Sequence, residues 1–295
     1  MTVRLGTNPI AWSNDDLREL GGATPLETCL SEARSAGFVG IELGHKFPRE
    51  PNALRDVLAR HDLALVSGWY SARLLERSSE AEMIAMRPHL ELLLALDCRV
   101  LILAEASNAI HGNRAMPLSR RPVLKDWSVF TRRLTELADL IRGEGMTLAY
   151  HHHMGTIIQS ETEIDQLMVM TGDNVTLLLD TGHATFASAD PVALAGRHRG
   201  RITHVHCKDV RADVMQNALA KDSSFLESVL DGVFAVPGEG CIDFVSVLSA
   251  LPGYDGWLVV EAEQDPAKAI PLEHARRGHG CLAQFAALAG LATAS

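Results

Sequence analysis

The feature that most constrains the fold is an alternation of strand-like and helix-like segments that repeats eight times. Each short run of apolar and β-branched residues precedes a longer helical segment, and no linker interrupts the series. We predict strands at 4–8, 39–43, 63–67, 99–104, 146–151, 175–180, 202–206 and 256–261. Eight βα units in 295 residues are typical of a (β/α)8 TIM barrel. We therefore expect an α/β fold with residues 1–295 in a single domain.

Two long connections follow the fourth and seventh predicted strands, at 106–125 and 208–240. Loops of that length are uncommon in compact domains unless they serve a function, so we predict two lids. Capping-box patterns predict helix starts at Thr24 with Glu27 and at Ser160 with Glu163. A doubly wound parallel sheet is the alternative fold, but no glycine-rich phosphate turn follows the first predicted strand.

Polar side chains lie at the ends of all eight predicted strands. They are Asn8, Glu42, Tyr70, Glu105, His151, Asp180, His206 and Glu261. Catalytic residues of a (β/α)8 barrel lie at the carboxyl ends of its strands. A carboxylate at the end of a buried strand also requires a metal, a cation or hydrogen bonds, because unpaired burial of its charge is costly. The pattern therefore predicts an active site at this end of the barrel.

Strands five to eight end in residues that bind metals. Because side chains alternate along a strand, His151 and His153 share one face, and either can supply the ligand from strand five. His206 lies closer to its strand end than His204 and is the better ligand from strand seven. With Asp180 and Glu261, these strands would give two imidazoles and two carboxylates. That set suits Mn, Co, Fe or Zn better than Ca, which prefers oxygen ligands alone.

Several other side chains have competing interpretations. Glu42 is as readily a structural ion-pair partner as a substrate contact. Lys208 is either a substrate contact or one half of an ion pair with Asp209 that braces the strand-seven ligand, and His111 is expected at the surface. The candidate substrate contacts are Asn8, Glu42, Lys46, Trp69, Tyr70, Glu105 and Lys208.

Composition and charge exclude several classes of partner. The net charge of −10 disfavours nucleic acid, whose binding proteins concentrate positive charge. No run of about 18 apolar residues predicts a membrane span, and residues 1–5 lead directly into a strand rather than a signal peptide. The five cysteines are scattered and lack CxxC spacing, which predicts reduced thiols in the cytoplasm. The sequence is compatible with a homo-oligomer.

Several stretches resemble a known family along nearly the whole chain. The Asp180-Thr-Gly-His183 stretch is similar to the xylose isomerase-like superfamily of sugar phosphate isomerases and epimerases. Two more specific stretches, Glu42-Leu-Gly-His-Lys-Phe-Pro48 and Tyr150-His-His-His-Met-Gly-Thr156, resemble the inosose dehydratase family within it. The resemblance implies a TIM barrel with a metal site formed by Asp180, His206, Glu261 and a strand-five position that falls at about His151. It also implies Mn or Co as the metal and an involvement of glutathione.

The resemblance implies a lyase that removes water from a cyclic polyol ketone, 2-keto-myo-inositol (scyllo-inosose), in inositol catabolism. The product would be 3D-3,5/4-trihydroxycyclohexane-1,2-dione. Related epimerases use two metal-bound acids, whereas this chain has histidine at position 151, which favours one-way elimination over epimerisation. The base is then expected to be Glu261 or Glu263, and the acid His153 or His183, with Lys46 and Lys208 open as further bases. A metal-dependent ketose isomerase or epimerase is the alternative.

Overall fold

The computed structural model describes residues 2–294. Eight parallel strands form a closed barrel, because the last barrel strand pairs with both the seventh and the first. The barrel strands are β1 (Thr2–Thr7), β2 (Gly40–Leu43), β3 (Ala64–Ala72), β4 (Val100–Glu105), β5 (Thr147–His151), β6 (Val175–Asp180), β7 (Ile202–Cys207) and β10 (Trp257–Val260). A small hairpin, β8 (Asp209–Val210) with β9 (Phe234–Ala235), lies in the seventh connection, and β11 (Ala292–Thr293) pairs with β1.

Helices follow the strands and confirm the (β/α)8 fold. They are α1 (Leu26–Ala36), α2 (Pro51–Arg60), α3 (Ser79–Ala95), α4 (Trp127–Gly143), α5 (Glu161–Met170), α6 (Thr181–Phe186), α7 (Pro191–His198), α8 (Ala212–Lys221), α9 (Phe225–Leu230), α10 (Phe244–Ser249) and α11 (Pro271–Leu288). Short 3-10 helices span Pro9–Ala11 and Leu118–Arg120. Among the helices of residues 2–294, none combines the length and apolar character needed to cross a bilayer.

The strand register brings the polar strand ends together. Asp180 of β6 lies directly beside His206 of β7, and Val259 of β10 lies beside the same histidine. On the other side of β6, His151 of β5 pairs with Leu178, two residues before Asp180 and therefore on the same face. Three neighbouring strands thus direct a histidine, an aspartate and a histidine toward one region of the barrel.

One of the two predicted capping boxes is present and the other is wrong. The Ser160 side chain accepts from the Glu163 backbone and the Glu163 side chain accepts from the Ser160 backbone, which confirms the box that starts α5. The box predicted at Thr24 does not form, because α1 begins at Leu26 and Pro25 occupies the capping position without a side-chain bond. The Thr24 carbonyl instead accepts a hydrogen bond from Lys46 at 2.6 Å, which holds this residue outside the helix.

The third strand is longer than predicted and extends to Ala72. Because Trp69 and Tyr70 are successive strand residues, their side chains lie on opposite faces. Trp69 lines the cavity inside the barrel. Tyr70 packs outward, where its hydroxyl donates to Glu82 of α3 at 2.8 Å.

An apolar group that we call the roof covers the carboxyl end of the barrel on one side. Its buried members are Leu17, Met154, Phe186, Val210, Ala218, Phe225, Leu226, Val229, Val233 and Phe234. They come from the loop after β1, from the loops after β5 and β6, and above all from the long connection after β7. The ring of Phe225 lies 5.0 Å from that of His153, so the roof is the apolar wall of the polar site beneath it.

Candidate metal centre and active-site pocket

Four side chains at the ends of successive strands form one compact group of potential metal ligands. Atoms of His151, Asp180, His206 and Glu261 all lie within 4.8 Å of one another. Asp180 Oδ2 is 3.5 Å from His151 Nε2 and 3.4 Å from His206 Nδ1. Glu261 Oε2 contacts the same His206 nitrogen. All four side chains are buried, so water is not their main partner.

The atoms that face one another in this group fit a divalent cation. Asp180 Oδ2, His206 Nδ1 and Glu261 Oε2 are buried and have no hydrogen-bond partner within the protein. Leaving two carboxylate oxygens and an imidazole nitrogen unpaired is costly, and a shared cation would satisfy all three. Two nitrogens and two oxygens at this spacing are the donor set of a site for a transition-metal ion or zinc.

The charges of the group depend on one another. Burial raises the pKa of Asp180, but Lys208 and His183 lower it more, so its pKa lies well below the ordinary value. Burial acts in the same direction on Glu261, and His206 and Lys208 reverse it, which leaves the pKa of Glu261 lowered. Both acids are therefore carboxylates at neutral pH, the form that binds a metal.

Glu42 lies below the four ligands and supports one of them. Its Oε1 atom accepts hydrogen bonds from Nε2 of His206 at 3.1 Å, Nε2 of His204 at 2.9 Å and the Ser67 hydroxyl at 2.5 Å. Its Oε2 atom accepts from the Asn8 amide at 2.6 Å. Burial lowers the pKa of His206, but Glu261 and Glu42 raise it to well above the ordinary value, so a metal bound at Nδ1 would displace a proton. The hydrogen bond from Nε2 to Glu42 leaves Nδ1 as the nitrogen that faces the metal group.

A second polar group lies beside the first. His153, His183 and Glu263 also place potential ligand atoms within 4.8 Å of one another. The Lys208 ammonium contacts this group, with Nζ 2.8 Å from Glu263 Oε1 and 3.0 Å from His183 Nε2. The predicted ion pair between Lys208 and Asp209 is wrong, because Asp209 accepts only backbone N–H groups, from residues 210, 238, 240 and 242.

Glu263 and His153 face the cavity beside the metal-ligand group, and the pKa of each is shifted from its ordinary value. Burial raises the pKa of Glu263 to about 7, although Lys208 lowers it in part. His153 Nδ1 lies 2.8 Å from the Met154 carbonyl, which can only accept, so Nδ1 carries the hydrogen. Burial, aided by His111 and His151, holds the pKa of His153 well below its ordinary value. His153 is therefore neutral, and its Nε2 atom is an acceptor.

A cavity of about 120 Å³ opens on these groups. The predicted residues that line it are Asn8, Glu42, Trp69, His151, His153, His206, Glu261 and Glu263. Asp180 lies behind this surface within the metal group, and Lys208 and His183 contact Glu263 from the side away from the cavity lining.

Besides Lys208, three further predicted substrate contacts do not line this cavity. Lys46 donates to the backbone carbonyls of residues 21, 22 and 24, which use its three N–H groups. Glu105 accepts from the backbone N–H groups of residues 74 and 107, outside the barrel interior. Tyr70 is bonded to Glu82 on α3. Each polar group is therefore occupied in holding a loop or a helix.

The cavity residues that were not predicted as site residues include His111 and Asp16. His111, which was expected at the surface, lines the cavity with its ring 5.0 Å from that of His153. Asp16 lines the mouth from the loop after β1. Both belong to irregular loops, where no periodicity indicates which way a side chain points. The only sequence signal was that long loops leave the carboxyl end of the barrel.

Comparison with known proteins agrees with this architecture. The family model described as xylose isomerase-like TIM barrel matches residues 30–285. The chain belongs to this family. A solved structure of the IOLI protein with a bound zinc atom superposes with a TM-score of 0.70 at 16% identity, covering 96% of this chain and 98% of that one. L-ribulose 3-epimerase superposes with a TM-score of 0.65 at 18% identity, covering 98% and 96%. These two likenesses concern the fold.

Curated relatives are similar over nearly the full length. The rhizopine catabolism protein MocC of Rhizobium meliloti is 51% identical, covering 100% of this chain and 92% of that protein. An inosose dehydratase of Geobacillus thermodenitrificans is 44% identical, covering 92% and 94%. An inosose dehydratase of Clostridium tetani is 40% identical, covering 97% and 98%. The resemblance read from the sequence motifs is thereby confirmed.

Proposed function

We propose that this protein is a metal-dependent hydro-lyase that removes water from scyllo-inosose to give trihydroxycyclohexane-1,2-dione. The observation that carries the proposal is the buried ligand group of His151, Asp180, His206 and Glu261 at a small polar cavity. It is supported by relatives named inosose dehydratase that match nearly end to end. Dehydration of a ketone by β-elimination needs charge stabilisation at the ketone oxygen and a base at the neighbouring carbon.

We assign the four clustered side chains as the metal ligands. A divalent ion, Mn or Co by family resemblance, supplies Lewis-acid stabilisation of the negative charge that develops on the ketone oxygen. His151 and His206 supply nitrogen, and Asp180 and Glu261 supply oxygen. Of the two ligands from strands five and eight, only Glu261 is a carboxylate. The related epimerases use an acid at both positions, so this ligand set differs from theirs.

Glu263 is the proposed base. Glu261 is held within the ligand group, whereas Glu263 Oε2 is buried, lines the cavity and has no hydrogen-bond partner. Its other oxygen is fixed by Lys208 at 2.8 Å, which orients the free oxygen. A carboxyl group with a pKa of about 7 is poised to take and return a proton near neutral pH.

His153 does not act as the acid of the elimination, because in its resting tautomer Nε2 has no proton to donate. With its hydrogen on Nδ1, His153 can accept a hydrogen bond from a substrate hydroxyl through Nε2. Elimination takes one proton from carbon and gives one to the departing hydroxyl, so the Glu263 carboxyl group can carry both. We therefore assign Glu263 as proton carrier and His153 as a substrate contact, with Trp69 and Asn8 as further contacts at the cavity.

The remaining aspects of the proposal concern the molecule's surroundings. The five cysteines of the described chain are free, which suits a reducing cytoplasm. We propose a single domain over 1–295 that acts on a small polyol ketone and binds neither nucleic acid nor membrane. Size-exclusion chromatography with light scattering tests whether it forms homo-oligomers. Assays with and without glutathione test the involvement that the resemblance implies.

A second candidate is a reaction of rhizopine catabolism. The observation in its favour is that the protein named for that process is 51% identical, against 44% and 40% for the two inosose dehydratases. The catalytic groups above would serve either pathway if the substrate is a ring ketone. Assays with both inosose and rhizopine, each after metal loading, distinguish the two.

The deciding experiment is an inosose turnover assay on protein of known metal content. Metal-free protein loaded with Mn²⁺ or Co²⁺ should produce the ultraviolet absorbance of the dione. Interconversion of free ketoses without loss of water would refute the dehydratase and favour the isomerase or epimerase.

Two variants separate the metal from the proton carrier. Asp180→Ala should lose both the ion and turnover. Glu263→Gln should keep the ion and lose roughly 100- to 10,000-fold in kcat, the usual contribution of a general base. Full turnover by Glu263→Gln would remove Glu263 from the mechanism while leaving the metal site intact.

A further inference from the structure

The Lys208 ammonium is a buried cation surrounded by acids. Its side chain is fully buried, and Nζ lies 2.8 Å from Glu263 Oε1, 3.4 Å from Glu261 Oε1 and 3.6 Å from Asp180 Oδ2. Its fourth polar neighbour, His183 Nε2, is 3.0 Å away. A lysine is rarely buried unless it is paired, and here it is paired with three carboxylates at once.

The position of this ammonium coincides with a second group of potential metal ligands. His153, His183 and Glu263 lie as close to one another as the four ligands proposed above, within 4.8 Å. Lys208 Nζ is within hydrogen-bonding distance of two of the three. The remaining Glu263 oxygen is buried without a partner, as the oxygens of the first group are. These two ligand groups are therefore neighbours, and the second already contains a positive charge.

Gly182 and the roof residue Phe234 make room for the Lys208 side chain. A Cβ atom on Gly182 would meet Lys208 Cγ at 2.5 Å, so only glycine allows the stem to pass. The ammonium also lies 4.6 Å from the centre of the Phe234 ring, a favourable arrangement for a cation. The glycine in the Asp180-Thr-Gly-His183 stretch therefore has a packing role next to Lys208.

The three carboxylates that contact the Lys208 ammonium match the charge of that ammonium plus one divalent ion. Asp180, Glu261 and Glu263 contribute three negative charges, and Lys208 with a divalent ion contributes three positive ones. Without the lysine, one buried negative charge would remain uncompensated, and a second cation would be attracted to it.

We infer that Lys208 is the built-in second cation of the active site, and that its ammonium occupies a divalent-metal site formed by His153, His183 and Glu263. The inference rests on the metal site proposed above. An ammonium fixed to the chain keeps Glu263 oriented when the exchangeable ion is absent, and it leaves the protein with one ion where the ligands suffice for two. Lys208 is a positioning residue, since it acts through Glu263.

The test is a count of metal ions per chain. Lys208→Met keeps most of the volume of the stem and removes the charge. After equilibration with Zn²⁺ or Co²⁺ and removal of free metal, elemental analysis should give one ion for the unaltered protein and two for Lys208→Met. Adding Glu263→Gln to Lys208→Met should return the count to one. The matched control, Lys46→Met, alters a lysine bound only to backbone carbonyls and should keep one ion.

The outcomes separate this inference from the proposed function. No ion in the unaltered protein would refute the metal site itself. One ion in both the unaltered protein and Lys208→Met, or two in both, would overturn the inference and leave the first site standing. If Lys208→Met is unfolded in metal-free buffer, Zn²⁺ should restore folding with two ions bound per chain. Recovery that needs one ion alone counts against the inference.

Discussion

Replacement of Glu42 by glutamine tests how His206, a proposed metal ligand, is oriented. The Glu42 carboxylate accepts four hydrogen bonds, from Asn8, Ser67, His204 and His206, at 2.5–3.1 Å. The amide that replaces it has one accepting oxygen and one donating nitrogen. Whichever way the amide points, its nitrogen faces groups that also donate.

The Asn8 side chain cannot relieve that conflict by rotating. Its Oδ1 atom accepts from the Ile10 backbone N–H at 2.9 Å, so a flipped amide would lose this bond. If the new nitrogen faces His206 instead, the imidazole loses the acceptor that keeps its hydrogen on Nε2, and Nδ1 is no longer reserved for the metal. Loss of such a supporting partner lowers metal affinity by about 10- to 100-fold, equivalent to about 1.4–2.7 kcal/mol.

The assay is a competition titration of Zn²⁺ against a chelator, with the protonation and tautomer of His206 followed by ¹⁵N NMR in metal-free protein. The matched control is Glu105→Gln, because Glu105 is an equally buried strand-end carboxylate that lies outside both ligand groups. The control should keep the metal affinity of the unaltered protein. An unchanged affinity and an unchanged tautomer in Glu42→Gln would refute the positioning role.

Three further predictions concern other parts of the chain. His151→Ala should weaken metal affinity roughly tenfold or more, whereas His153→Ala should keep the ion and lower turnover, both measured on one preparation. Asp209→Asn should destabilise the protein by about 2–4 kcal/mol in chemical denaturation, because its amide leaves two of the four bonded backbone N–H groups unsatisfied. Burial raises the pKa of Glu163. The backbone N–H groups that it binds and Arg121 have the larger, opposite effect, so its pKa lies below the ordinary value. The difference in stability between the unaltered protein and Glu163→Gln should therefore be full at pH 7. It should shrink as the pH falls below the ordinary glutamate pKa of 4.5 and through the lowered pKa of Glu163.

The fold was largely predictable because each strand carries its own local signal. Runs such as Val175–Asp180 consist of apolar or β-branched residues and end in an acid, which marks both a buried parallel strand and the edge of the site. The incorrect predictions concern segments in which two local patterns favour different structures. The strand that ends at Ala72 was predicted too short because serine and glycine interrupt its apolar run. The box at Thr24 was wrong because α1 begins at Leu26, with Pro25 at the capping position.

The site was predictable only in part because its finer contacts join distant segments. The bond between His204 and Glu42 spans 162 residues and exists only once the barrel has closed. The same closure turned Tyr70 and Glu105 away from the cavity and brought His111 into it. Residue type at a strand end therefore identified the ligand group, whereas the side on which a loop residue lies depended on tertiary packing.

The position of Leu17 in the roof has a consequence for the timing of each catalytic cycle. Leu17 is 6% exposed and neighbours Asp15 and Asp16, which line the cavity, so a displacement of this loop that widens the cavity would take Leu17 out of its apolar contacts. Exposing a buried leucine costs about 1.5–3 kcal/mol, which would limit such a widened conformation to roughly 0.6–7% of molecules. That low population would slow the arrival of ligand and the escape of product alike. Leu17→Ala should speed product departure and make turnover less sensitive to solvent viscosity, so that chemistry rather than loop opening sets the rate.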